Sequence, residues 1–222
     1  MPTITFSGAE IDQDSPAVTV QNIPSDYNGD FLLADSDNVL LKIDAETAKN
    51  TINLRYQKKE IHRPEKLEIQ IVEATGTTGK KFAGTISGDL PYTHVDFTQG
   101  EVANVEMKTS STTLEVVYPA KITENLTVKG GNVVVRGTKV AAIEVDAGTG
   151  FVQIAVEGYE NVGVSAKTPE VGLITAKSNV IVAPCADVTV KVQAEGDALN
   201  GTYYISVLPA TLNGGFKILL ET

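Results

Sequence analysis

The sequence is poor in the residues that most often carry chemistry or covalent cross-links. Its 222 residues include one cysteine, two histidines and no tryptophan. A single cysteine excludes an intrachain disulfide, and two histidines leave little material for a metal site or a general base. No apolar run approaches the roughly 20 residues that a membrane helix needs, so we expect no membrane-spanning segment.

Positive charge is also scarce. The formal net charge is -10, and residues 1–47 hold nine acidic residues against a single basic one, Lys42. A nucleic-acid-binding surface needs clustered Lys and Arg, so the sequence predicts that nucleic acid is not a partner. The same shortage argues against electrostatic attachment to anionic membranes.

Recognisable catalytic motifs are missing as well. The chain has no Gly-x-Ser-x-Gly elbow and no glycine-rich phosphate loop. His62 lies in a charged connector, and neither it nor His94 has a partner at a metal-ligand spacing such as His-x-x-x-His. Cys185 has no basic neighbour in the sequence to activate it as a nucleophile. The sequence therefore predicts a protein that is not an enzyme and uses no cofactor.

The acidic N-terminal part offers one candidate metal site. Asp26, Asp30, Asp35 and Asp37 lie close together in the sequence, and their carboxylates are oxygen ligands of the kind that Ca²⁺ prefers. Their spacing does not match the twelve-residue EF-hand loop. The four residues are thus a weak Ca²⁺ candidate, with solvated loops as the alternative.

What the sequence does contain is a recurring alternation of apolar and polar residues. Lys66–Val72, Phe151–Glu157 and Asp187–Gln193 place Val, Ile or Leu at every second position, which puts those side chains on one face of a strand. Similar short segments recur about every ten residues. Short strands with polar alternate faces are typical of antiparallel sandwiches or barrels.

The end of the chain predicts a β-hairpin. Thr202–Glu221 contains two alternating segments separated by Asn213-Gly214-Gly215, residues that accept the positive φ of a tight turn. A domain boundary is expected near Tyr118-Pro119, because the Val and Gly content rises beyond it. The prediction is an all-β protein of two tandem antiparallel β-sandwich domains, residues 1–118 and 119–222. A single elongated sandwich is the alternative.

Several segments resemble fimbrillin-like surface proteins of anaerobic gut and oral bacteria. The clearest is Gly201–Ile218, which is similar to a closing "YY-apolar-x-V-L-P" strand followed by a "G-G-F" strand. Gly29–Asp35, Leu54–Ile71 and Asp96–Val102 resemble an early segment, a strand pair and a turn of that family. The resemblance implies transthyretin-like, Greek-key sandwiches, exported and displayed on the outer membrane or in a fimbrium. The chain departs from the pattern at Gln57, where the family has histidine, and has no lipobox cysteine near residue 1.

Three functions are compatible with these observations. The first is a non-enzymatic cell-surface structural or adhesion protein of fimbrillin type, an accessory pilus subunit or surface lipoprotein domain. Its strands Thr3–Phe6 and Gly215–Leu220 are candidate edges for binding other subunits by β-augmentation; alternatively, both complete their own sheets. The second is a carbohydrate-binding module that recognises host or microbial glycans, and the third is a phage virion decoration or fibre protein.

Overall fold

The computed structural model describes residues 18–24, 26–45, 50–56, 65–72, 81–155, 167–185, 188–195, 205–207 and 217–221. These residues form strands, turns and bends, and they include no helix long and apolar enough to cross a membrane. The strands are divided between two sheets of nine strands each. When the strands are numbered in chain order, the odd-numbered strands form one sheet, the odd sheet, and the even-numbered strands form the other, the even sheet.

The odd sheet consists of nine strands, whose order across the sheet is also their order in the chain: β1 (Thr19–Ile23), β3 (Asn38–Asp44), β5 (Lys66–Val72), β7 (His94–Gln99), β9 (Thr113–Val117), β11 (Gly131–Arg136), β13 (Thr149–Ala155), β15 (Asn179–Cys185) and β17 (Ile205–Val207).

The even sheet has the same arrangement: β2 (Gly29–Leu33), β4 (Thr51–Tyr56), β6 (Lys81–Gly88), β8 (Glu101–Met107), β10 (Lys121–Val128), β12 (Lys139–Val145), β14 (Glu170–Ala176), β16 (Thr189–Ala194) and β18 (Lys217–Glu221).

Every pairing within the two sheets is parallel. The chain alternates between the sheets, so that each strand pairs with the strand two positions later, and one strand from each sheet makes one coil of a parallel β-solenoid. His94 pairs with Thr113 and Thr113 with Asn132, a repeat of about 19 residues in the central coils. Nine strands stacked about 4.8 Å apart give a body roughly 40 Å long along the stacking axis.

A single apolar core fills the space between the sheets. Alternate residues of each strand point inward, and register stacks them on their neighbours: Leu67, Val95, Leu114 and Val133 follow one another across the odd sheet. Each of these four side chains is at most 2% exposed. The abundance of Val and Ile at inward positions explains why the chain forms strands, since β-branched side chains pack well on a pleated surface.

The turn between β10 and β11 shows why glycine is needed where the chain leaves one sheet for the other. Gly130 and Gly131 have φ values of 78° and 85°. A Cβ on Gly131 would lie 2.6 Å from the carbonyl oxygen of Thr112, so this corner of the coil excludes a side chain for both conformational and steric reasons.

The predicted all-β class is confirmed among the described residues, but the two antiparallel, transthyretin-like sandwiches are wrong. All sixteen strand pairs run parallel. Alternation of apolar and polar residues indicates which face of a strand is buried, but it is the same for parallel and antiparallel neighbours. Whether neighbouring strands run parallel or antiparallel is set by the connections between them. Here each connection carries the chain across to the other sheet instead of back along the same sheet.

The predicted C-terminal hairpin is wrong for the same reason. β17 pairs with β15 in the odd sheet, whereas β18 pairs with β16 in the even sheet. The two strands form as expected, yet they belong to opposite layers and do not pair with each other. The predicted boundary at Tyr118-Pro119 stays a prediction; at this point both sheets continue, with β8 paired to β10 and β9 to β11.

Candidate functional site

Three carboxylates lie side by side on the solvent-facing side of the odd sheet. Glu68 of β5 is in register with Asp96 of β7, and Asp96 is in register with Glu115 of β9. We call these three residues the acidic row. Like charges directly opposite each other destabilise a sheet unless they are compensated, so the groups around the row decide whether it is a structural or a functional feature.

Two permanent cations flank the acidic row. Lys66 Nζ lies 2.7 Å from Asp96 Oδ2, and Arg136 Nε lies 2.5 Å from Glu115 Oε1. At the other end of the row, the hydroxyl of Thr98 donates to Glu68 Oε1 over 2.7 Å. Two cations against three carboxylates leave an excess of negative charge at the row.

His94 completes the arrangement. It precedes Asp96 by two residues on β7, so both side chains point outward. Its Nε2 atom lies 2.8 Å from Asp96 Oδ1 and 3.5 Å from Glu115 Oε2. We call His94, Asp96 and Glu115 the His94 cluster; one donor atom from each residue lies within 4.8 Å of the others. An imidazole and two carboxylates can together hold a proton or a metal ion.

Asp96 is the least exposed member of the His94 cluster. The residue is 9% exposed, and its Oδ1 atom is buried and accepts no hydrogen bond. The 2.8 Å contact with His94 Nε2 is short enough for an ion pair but lacks hydrogen-bond geometry. A buried carboxylate oxygen without a hydrogen-bond partner lowers the stability of the folded state. Within the cluster, Asp96 Oδ1 is therefore the atom at which an added cation would be stabilised most.

The buried carboxylate of Asp96 changes the pKa of the neighbouring Lys66. The pKa of Lys66 is raised from its usual 10.5, chiefly by its hydrogen bond to Asp96, against a smaller opposing effect of desolvation. The ammonium form of Lys66 is therefore favoured. This cation contacts Oδ2 of Asp96, while Oδ1 of Asp96 faces the imidazole of His94.

The residues predicted as a Ca²⁺ site lie in another part of the molecule. Asp26, Asp35 and Asp37 are exposed in turns and bends next to β2 and β3. Asp30 is an exposed residue of β2, and its carboxylate lies 3.5 Å from Arg55 Nε. Ca²⁺ binding by these residues stays a prediction, while the His94 cluster is the group of three potential ligand residues that lie close together among the described residues.

The remaining candidates from the sequence have no role in the His94 cluster. His62 lies outside the described residues. Cys185 is partly buried on β15, with its Sγ atom 3.6 Å from both Gln153 Nε2 and the carbonyl oxygen of Ala183. It lies on the same outer face as the cluster but three strands away from Glu115.

A shallow polar groove lies on the outer face of the even sheet. It has a volume of about 200 Å³ and is lined by Asn50, Thr51, Thr85, Asn104 and Glu124 together with Ala83 and Gly84. The amide of Asn104 donates to Glu124 Oε2 over 3.0 Å. The pairing of β6 and β10 with β8 shifts register at this level.

Comparisons with known proteins give no family for this chain. No family model matches it, and neither a curated protein nor a solved structure is similar enough to count as a match. The function must therefore be inferred from the residues and their arrangement.

Proposed function

We propose that the chain is a non-enzymatic structural and adhesion protein of a bacterial surface. The observation that carries this proposal is the solenoid: two parallel sheets enclose one continuous apolar core over the described coils. The resemblance to fimbrillin-like proteins supports the surface location, although the sandwiches that it implied do not form.

The solenoid suits a structural role because its hydrogen bonds run along its length. Each coil contacts mainly its neighbours, so the body is quasi-one-dimensional and is stabilised coil by coil. Side chains such as Leu126, Val135 and Ile143 are fully buried at the centre. A rod with a filled interior offers its faces and ends to partners instead of an internal cleft.

The ends of the sheets are the proposed contacts with other subunits. β18 is the last strand of the even sheet and, among the described residues, pairs with β16 alone. It overlaps the predicted edge Gly215–Leu220, and its Leu219 is 45% exposed. Such an edge can accept a strand from another chain. The other predicted edge, Thr3–Phe6, lies outside the described residues.

Immunogold electron microscopy of the source cells, with an antibody raised against the chain, tests the proposal. We expect gold along surface filaments or on the cell envelope. Gold confined to the cell interior contradicts the proposal, and gold on phage particles favours the virion-fibre alternative instead.

Glycan binding is a second candidate function, favoured by the groove on the even sheet. Its hydroxyls, amides and the carboxylate of Glu124 are the donors and acceptors that sugar hydroxyls require. A glycan array probed with the intact chain and with Asn104→Ala tests this function. A hit that the Asn104→Ala variant loses supports glycan binding at the groove, while an array without hits contradicts it.

A further inference from the structure

We propose that the His94 cluster is a binding site for a divalent transition-metal ion of the zinc class. The three ligands are His94 Nε2, Asp96 Oδ1 and Glu115 Oε2, which come from two adjacent parallel strands. The proposal rests on the geometry of these atoms and is independent of the surface function proposed above.

The donor set selects the kind of metal. Imidazole nitrogen suits zinc, copper, iron and nickel, whereas carboxylate oxygen alone suits magnesium, calcium and manganese. Zinc accepts both kinds of donor present here, histidine nitrogen at about 2.0–2.1 Å and carboxylate oxygen at about 2.0–2.2 Å, and a catalytic-type site adds a water to three protein ligands. We therefore expect zinc to bind in preference to magnesium or calcium.

Two of the three distances between the donor atoms are close to those around a bound ion, and the third is within 4.8 Å. Donors around a tetrahedral zinc ion lie about 3.4 Å apart, as follows from metal–ligand distances near 2.1 Å. His94 Nε2 already lies 3.5 Å from Glu115 Oε2, and its 2.8 Å separation from Asp96 Oδ1 needs only a small opening. The imidazole is on the outside, with 45% of its side chain exposed, so it can turn to admit the ion.

Lys66 and Arg136 orient the two carboxylates for this purpose. Each cation holds the carboxylate oxygen that points away from His94: Lys66 holds Asp96 Oδ2, and Arg136 holds Glu115 Oε1. The remaining oxygens, Oδ1 and Oε2, both face the same imidazole nitrogen. Outer-shell partners of this kind fix the orientation of metal ligands.

The buried Asp96 Oδ1 atom is the independent sign that a cation belongs here. The residue is 9% exposed, and this oxygen accepts no hydrogen bond. A purely structural ion-pair network would be expected to satisfy it. A zinc ion coordinated by Oδ1 would replace its 2.8 Å contact with His94 Nε2, which is not a hydrogen bond, by a metal–ligand bond, and solvent has access to the exposed side of His94 for the fourth ligand.

Zinc binding can be measured on the full chain, freed of any histidine tag, by isothermal titration calorimetry and by metal analysis after dialysis. We expect one zinc per chain, and tenfold excess magnesium should not displace it. His94→Ala and Glu115→Gln should both abolish saturable binding. Far-UV circular dichroism of each variant verifies that the fold is retained.

Matched controls separate this site from the chain's other metal-binding groups. His62→Ala removes the second histidine, Cys185→Ser removes the thiol, and Glu101→Gln removes an outward carboxylate that pairs with Lys121 on the even sheet. All three should bind zinc as the unmodified chain does. Absence of saturable zinc binding by the unmodified chain, or undiminished binding by a folded His94→Ala variant, overturns the proposal.

Discussion

Replacing Gly172 by alanine tests the parallel pairing directly. Gly172 lies on β14, and the register places it opposite Ala141 of β12, between the pairs Val140–Val171 and Ala142–Leu173. A Cβ atom on Gly172 would lie 2.1 Å from the carbonyl oxygen of Ala141. The φ of Gly172 is not in the left-handed region, so a clash with the neighbouring backbone is the sole reason to expect a penalty.

The size of the effect follows from two opposing contributions. Alanine in a strand interior is favoured over glycine by roughly 0.5–1 kcal/mol. Carbon and oxygen atoms do not normally approach closer than about 3.3 Å, so the strands must separate locally by roughly 1 Å. One or two ladder hydrogen bonds, each worth about 0.5–1.5 kcal/mol, are then weakened or lost, and backbone strain adds to this cost. We expect a net destabilisation of about 2 kcal/mol.

Urea denaturation followed by far-UV circular dichroism measures this change as a lower midpoint at constant slope. Gly88→Ala is the matched control, because it lies on β6 of the same sheet. The Cβ added there meets side-chain atoms of Leu90 and Met107 instead of backbone, with the nearest atom at 3.0 Å, so we expect a smaller loss than for Gly172→Ala. If Gly172→Ala stabilises the protein, as strand propensity alone predicts, then β12 and β14 are not parallel neighbours in this register.

Two further predictions concern the core and the acidic row. Leu114→Ala should lower the free energy of unfolding by about 2–5 kcal/mol, because this side chain is 2% exposed. Leu32 is 43% exposed, so Leu32→Ala should lower it by less than about 1 kcal/mol in the same urea assay. Equal losses would contradict the placement of the core. The pKa of Lys66 is raised mainly by its hydrogen bond to Asp96, which means that the folded state binds the ammonium proton more tightly than the unfolded state. The contribution of Lys66 to stability is therefore complete below pH 10.5 and is lost as pH rises through the higher pKa of the folded state. Solvent screening keeps this effect below about 1 kcal/mol. Lys66→Gln should therefore flatten the fall of the urea midpoint as pH rises above about 10.5, and an unchanged slope there would contradict the assignment.

The strands themselves could be predicted from the sequence, because their signal is local. Lys66–Val72 is predicted with the bounds of β5, and the predicted Phe151–Glu157 and Asp187–Gln193 overlap β13 and β16. Each contains apolar residues at alternate positions, and burial of one face is enough to produce that pattern. The turn at Lys129–Asn132 was also predictable, since consecutive glycines mark a backbone that other residues adopt poorly.

The direction of strand pairing could not be predicted from the same pattern. The sequence predicts a hairpin of β17 and β18 because Asn213-Gly214-Gly215 separates two alternating segments. A glycine pair in the sequence permits a sharp reversal within one sheet, but it equally permits a passage from one sheet to the other. Only the lateral partners, β15 and β16, distinguish the two outcomes, and they are distant in the sequence.

The His94 cluster is invisible to sequence motifs for a related reason. Metal-ligand spacings such as His-x-x-x-His are helical intervals, whereas His94 and Asp96 share a face because they are two residues apart on a strand. The resemblance assigns the segment Asp96–Val102 to a turn; the turn is confined to Gly100, which follows β7 and has a φ of 85°. Glu115 then joins the cluster only through the register of β7 with β9.

The stacking of coils makes the acidic row informative about function. In a solenoid, a residue repeated at the coil period necessarily lies beside its copy, so Glu68, Asp96 and Glu115 face like-charged neighbours as long as the fold persists. A purely structural row would be more stable with alternating signs, as at Lys81, Glu101 and Lys121 of the even sheet. The chain thus contains both kinds of row, the alternating one at the first residues of β6, β8 and β10 and the acidic row at the third residues of β5, β7 and β9. The acidic row has the excess negative charge, contacts the imidazole of His94, and contains the buried Asp96 oxygen that accepts no hydrogen bond. Zinc titration therefore tests directly whether the acidic row is a binding site or a structural feature.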